Sequence, residues 1–153
     1  MNADARLTEL KLELPPAPKP AGVYNPLVQV EDMVYVSGHG PLLPDGGMIE
    51  GKVGGDLTEE QGKRAARQVG LAVLATLKSQ LGSLNRVKRV VKVLCMVNAT
   101  PDFRRHPQVI NGFSELMVDV FGESGRAARS AVGMGSLPEN IAVEIECILQ
   151  LES

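Results

Sequence analysis

Apolar residues recur at helical spacing in three stretches of the chain and gather or alternate in five others, and the order of these stretches sets the fold class. Leu7, Leu10 and Leu14 predict a short helix within residues 4–14. Pro15, Pro16, Pro18 and Pro20 then forbid its continuation and leave an extended, proline-rich arm. Two β-rich runs, Leu27 to Val30 and Met33 to Ser37, flank Glu31-Asp32 and predict a hairpin. Residues 38–55 hold seven glycines in eighteen positions, with Pro41 and Pro44, and read as loop. Thr58-Glu59-Glu60-Gln61 is a capping box that opens a helix over 58–81, with Ala66, Val69, Val73, Leu77 and Leu81 as its buried stripe and Gly82 as its stop. Residues 86–98, RVKRVVKVLCMVN, are β-branched and predict a central strand. A second long helix fits 107–121, opened by Pro107 and ended by Gly122. Two further strands, Arg126 to Met134 and Ile141 to Leu151, surround the turn segment 135–140.

The order is (α)ββαβαββ, which implies an α+β fold: an antiparallel-rich mixed sheet with two helices on one face. Residues 1–20 form the short helix and arm, and 21–153 are expected to form a single α+β domain. In the last strand Ile141, Val143, Ile145, Cys147, Leu149 and Leu151 alternate with a face carrying Glu144, Glu146 and Gln150. If Val87, Val91, Val93, Cys95 and Val97 pack under the helices, the opposite face of their strand shows Val90, Leu94 and Met96. Apolar residues on a nominally solvated face predict that another subunit covers it.

The last two strands predict a hairpin. Pairing Met134 with Ile141 would set Arg129 opposite Glu146 and Ala131 opposite Glu144. Arg129, Glu144 and Glu146 would then share one face, within reach of one small molecule. A plain ion pair between Arg129 and Glu146 is the competing reading, and it leaves Glu144 unassigned.

Composition narrows the function classes. Of 153 residues 44% are hydrophobic and 22% charged, with a formal net charge of −2, so no bulk positive field recruits nucleic acid. Aromatics make up 3% and Trp is absent, which removes stacking platforms for bases. Arg86, Lys88, Arg89 and Lys92 therefore read as a solvated basic strand rather than an RNA contact. The apolar runs are far shorter than a membrane helix needs and the N-terminus lacks a signal pattern, so a cytoplasmic protein is expected. Cys95 and Cys147 each sit in an apolar run, as small buried hydrophobes do in a reducing compartment, and supply no metal site. The segment 46–53 has the glycine spacing and the lysine of a phosphate loop, but Val53 stands where a hydroxyl is needed, and a flexible loop is the better reading. His106, beside Arg104 and Arg105, reads as a solvated basic corner. His39 leaves a strand in Ser37-Gly38-His39-Gly40, where a structural and a functional role stand equally open.

Four strings carry a family resemblance: Tyr24 in AGVYNP, VYVSGHGPL at 34–42, Asn111 in VINGFSE, and AARSAVGMGSLPENIAVEIECI at 127–148. Over residues 21–152 the chain resembles the Rid (YjgF-like) family of reactive-intermediate imine deaminases, once grouped under an endoribonuclease L-PSP name. The resemblance implies a chorismate-mutase-like fold, a homotrimer whose sheets form a central barrel, and ligand clefts between subunits. It implies that Arg129 grips a substrate carboxylate and Glu144 orients or activates the hydrolytic water. Tyr24, Ser37 and Asn111 would complete the pocket, with backbone groups near Gly38 and Ala131 at the imine end. The implied reaction hydrolyses 2-imino or enamine acids, such as 2-iminobutanoate or 2-iminopropanoate, to 2-keto acids and ammonia, with no cofactor and no metal. A noncatalytic module that binds small carboxylate metabolites is the alternative, and an endoribonuclease ranks last. The chain departs from the family at Ala131, where many members carry Cys, and at His39, where Gln is commoner.

Overall fold

In the computed structural model, which describes residues 2–153, three helices and five strands follow the expected order. Helix α1 spans Ala3–Glu9, shorter than the predicted stretch, and begins where Ala5 N–H donates to Asn2 Oδ1 at 2.9 Å. Lys11 adopts a left-handed φ of 52°, so Leu12 and Leu14 leave the helix yet still pack against the core. Arg6 Nε donates to the Asp119 carbonyl, and Asp4 accepts from Leu84 N–H, pinning α1 to the far end of the fold.

The hairpin of β1 (Leu27–Val30) and β2 (Met33–His39) forms with Glu31 in the left-handed region that its tight turn requires. β2 continues two residues beyond the expected Ser37, taking Gly38 and His39 from the predicted loop. Helix α2 (Glu59–Leu81) starts at the Thr58/Gln61 capping box and stops at Gly82, whose φ is 84°. β3 spans Val87–Asn98, and α3 spans His106–Phe121 with Pro107 in its first turn. β4 covers Ala128–Met134 and β5 Val143–Leu151.

The strand order is β1-β2-β5-β3-β4. β5 inserts antiparallel between β2 and β3, while β4 pairs with β3 in parallel at the open edge. This overturns the predicted β4–β5 hairpin. Helix α3 is the crossover that parallel β3 and β4 need, and the connection from β4 to β5 carries the chain past β3 rather than folding back beside β4. Arg129 therefore stands opposite Val93, and Glu146 opposite Leu94.

Helices α2 and α3 cover one face, burying Val34 and Val36 of β2, Val93, Cys95 and Val97 of β3, and alternate residues of β5 from Val143 to Leu151. Register shifts in β3 between Val87 and Arg89 and between Val90 and Lys92 break its simple alternation. Val90 is consequently buried at 1% exposure, against the expected outward setting, and Val91 is only half-buried. On the opposite face Val28, Tyr35 and Val132 are exposed, and Leu94, Met96 and Ile148 are half-buried. Among the described residues no helix is long and apolar enough to cross a membrane.

Candidate functional site

The sequence-predicted residues divide into two groups on opposite faces of the sheet. Because Arg129 shares a rung with Val93, its side chain lies on the helix-covered face at the open β4 edge. Its Nη1 donates to Ser114 Oγ at 2.9 Å and its Nη2 to the Pro107 carbonyl at 3.4 Å, both on α3. Asn111 lies one turn from each of these residues and lines the same groove of about 450 Å³ with Ser114, Val118 and Arg129. Arg129 takes part in none of the ion pairs among the described residues. A half-buried guanidinium whose partners are neutral oxygens keeps further N–H donors for an anion.

Ala131 follows on the same face, opposite Cys95. Burial pushes the Cys95 thiol up to about 12 despite the nearby Arg129 and Lys92, so it offers no thiolate there. Cys147, also free and buried, is likewise pushed up to about 12 by burial.

The second group surrounds a cavity of about 590 Å³ in which Tyr24, Ser37, Gly38 and Glu144 come together. Glu144 shares a rung with Met96 and points away from the helices. Its carboxylate lies against Gly38, where an added Cβ would meet it unless the carboxylate swung aside, so the glycine lets Glu144 sit this close to β2. Half-burial, helped by the charge of Glu146, holds the Glu144 carboxyl above its ordinary pKa. Ser37 Oγ donates to the Asn25 carbonyl at 2.6 Å and Ser37 N–H to that of Pro26 at 3.0 Å, tying β2 to the segment that carries Tyr24. The Tyr24 hydroxyl accepts from Ala21 N–H at 3.1 Å, which draws the proline arm over the cavity as one wall.

The expectation that Arg129, Glu144 and Glu146 share a face fails with the hairpin on which it rested. Sequence reasoning missed Ser114 and Pro107 as the supports of Arg129, although Ser114 falls one turn after Asn111 on α3. The extended proline-rich arm and the residues that follow it supply part of the cavity wall, through Pro18, Pro20 and Gly22. The glycine segment binds through its lysine to the protein itself: Lys52 Nζ donates to Asn98 Oδ1 at 2.9 Å and to the Gly135 carbonyl at 2.5 Å. His106 is half-buried rather than solvated, edge-on to Phe103 with ring centroids 5.2 Å apart and close against Gly133. Among the described residues no group of His, Cys, Asp or Glu is placed to hold a metal ion.

With this geometry in view, the chain belongs to the YjgF/chorismate_mutase-like family, whose description also carries an endoribonuclease name and whose profile matches residues 4–150. It is 41% identical over 150 residues to Protein TCP17 of Trypanosoma cruzi, covering 97% of this chain and 94% of that one. A 2-iminobutanoate/2-iminopropanoate deaminase of Dermatophagoides farinae is 31% identical over 142 residues, covering 92% and 95% of the two chains. The crystal structure of the protein Atu1372 from Agrobacterium tumefaciens superposes with a TM-score of 0.88 at 38% identity, covering 99% of this chain and 92% of that one. The fold is the chorismate-mutase-like α+β fold of this family.

Proposed function

We propose that the protein hydrolyses small 2-imino or enamine acids to 2-keto acids and ammonia, without a cofactor, at sites completed between copies of a homotrimer. The observation that carries the reading is the setting of Arg129: half-buried at an open sheet edge, held by Ser114 and Pro107, and without a carboxylate partner among the described residues. Such an arginine matches a ligand carboxylate by a two-pronged contact.

The chemistry divides between the two groups. Arg129 and Asn111 hold the substrate carboxylate, which fixes the neighbouring C=N carbon in place. Glu144, whose raised pKa makes it a better proton acceptor than an ordinary carboxylate, takes a proton from water as the oxygen bonds to that carbon. The nitrogen gains protons, the C–N bond breaks, and ammonia leaves as the carbonyl forms. The imine is intrinsically reactive to water, so positioning and one oriented base are enough.

Glu144 and Arg129 cannot meet on one molecule within a single chain, and the exposed Val28, Tyr35 and Val132 face is what a second copy would cover. The relative that carries a deaminase name supports the reaction class. The test couples a threonine or serine dehydratase, which generates the enamine, to keto-acid detection. Wild type should accelerate keto-acid formation and Arg129→Ala should not. Equal acceleration by both proteins would refute the site, and a small carboxylate that raises Tm with no imine turned over would point to a binding module instead.

A further inference from the structure

We propose that His39 is a positioning residue, clamping a bulge in β2 so that Gly38 and Glu144 face the substrate as one unit. This rests on the reading of Glu144 as the base above. The bulge is explicit in the register: Val36 pairs with Cys147 and His39 with Ile145, so Ser37 and Gly38 together oppose Glu146. In an unbulged strand Val36 and His39, three residues apart, would point to opposite faces. Here both point inward, at 4% and 5% exposure, and the inward anchoring of His39 selects the bulged backbone.

Both ring nitrogens are engaged. Nδ1 lies 2.6 Å from the Ser37 carbonyl and Nε2 lies 2.7 Å from Thr76 Oγ1 in α2. A carbonyl can only accept, so Nδ1 carries the hydrogen, and in the neutral ring Nε2 then accepts from the Thr76 hydroxyl. Burial disfavours the charged ring, in keeping with that assignment. Thr76 is itself 1% exposed, a polar side chain in the buried face of α2. The links run from α2 through Thr76 and His39 to the Ser37 carbonyl. Ser37 in turn binds the 25–26 segment, and Gly38, the next residue, abuts the Glu144 carboxylate. A histidine serving only the core would need neither a bond back to its own bulge nor a place beside the glycine that abuts the Glu144 carboxylate.

The experiment compares His39→Leu, His39→Gln and Thr76→Val in the full-length protein. Each variant is read by coupled kinetics and by the carbon-13 NMR titration of the Glu144 carboxyl. Glutamine can still donate to Ser37 and accept from Thr76, so His39→Gln should stay within about threefold of wild-type kcat. His39→Leu and Thr76→Val should lower kcat by about tenfold or more with KM little changed, because Arg129 still holds the carboxylate. The Glu144 titration should move down towards the ordinary carboxylate range in both. If His39→Leu does not fold, Thr76→Val decides. Unchanged kcat and an unchanged Glu144 titration in a folded variant would overturn the inference. Should wild type turn over no imine, the catalytic reading fails, and the Glu144 titration still decides whether His39 sets the position of that carboxyl.

Discussion

Arg129 and Glu144 project from opposite faces of one sheet, Arg129 on the rung of Val93 in edge strand β4 and Glu144 on the rung of Met96 in central strand β5. One intervening strand puts them about 10 Å apart across the sheet before their opposite directions are counted. The same sheet can serve one small ligand with both groups only if a neighbouring copy presents its Glu144 face to the Arg129 edge. The exposed apolar rungs beside Glu144 fit such a contact.

Arg129→Lys keeps the charge but loses the planar fork. Charge-assisted hydrogen bonds contribute about 1.5–3 kcal/mol each, so KM for a small imino acid should rise about 10- to 100-fold with a smaller change in kcat. Steady-state kinetics over a range of dehydratase-generated substrate check this, and an unchanged KM would remove Arg129 from the carboxylate contact.

Glu144→Gln removes the proton acceptor while keeping the shape. We expect kcat to fall about 100- to 10,000-fold. In wild type, activity should fall as pH drops through a midpoint above 4.5, because the base must be deprotonated and its carboxyl is held above that value. That acidic limb should be absent from whatever activity Glu144→Gln retains.

Gly38→Ala places a methyl group where the Glu144 carboxylate lies. The carboxylate can swing aside, so stability should drop by only about 1–3 kcal/mol while kcat falls by more than stability explains. Thermal melting and kinetics on the same preparation separate the two effects.

Stability should depend on pH through His39. Its folded-state pKa lies below the ordinary 6.5, so the unfolded chain takes up the proton first as pH falls. The contribution is present above about pH 6.5 and is lost progressively below it, down to the depressed folded value. Glu144, with a raised pKa, acts in the opposite sense: its contribution declines as pH rises through 4.5. Urea midpoints at pH 7 and 5 should therefore differ more in wild type than in His39→Gln, and equal differences would contradict the neutral buried ring.

Much of the architecture was legible from local chemistry. Thr58 and Gln61 announce α2, Pro107 and Gly122 bound α3, and the alternation from Ile141 to Leu151 identifies a strand buried on one side only. The β1–β2 hairpin was legible too, but the pairing of β4 was not, because its neighbours in sequence and its neighbours in the sheet differ. A strand, helix and strand in succession permit a parallel crossover, and the segment 135–140 hid the alternative to a hairpin. With the hairpin went the proposed Arg129 and Glu146 pair. The bulge at Ser37-Gly38 was also hidden, since its cause is the inward pull of His39 towards Thr76, 37 residues away. The family resemblance implied one pocket for the site residues; within a single chain Tyr24, Ser37, Gly38 and Glu144 line one cavity, while Arg129 and Asn111 line a separate groove.

If the two halves of the site come from different copies of the chain, subunit complementation should restore activity. Arg129→Ala and Glu144→Gln proteins, each inactive alone, are unfolded together, refolded as a mixture and assayed with the dehydratase-coupled substrate. In a randomly mixed trimer each site draws Arg129 from one copy and Glu144 from its neighbour, so about a quarter of the sites should regain both groups and activity should return to that level. A mixture as inactive as its parents, although mixed oligomers have formed, would contradict the account.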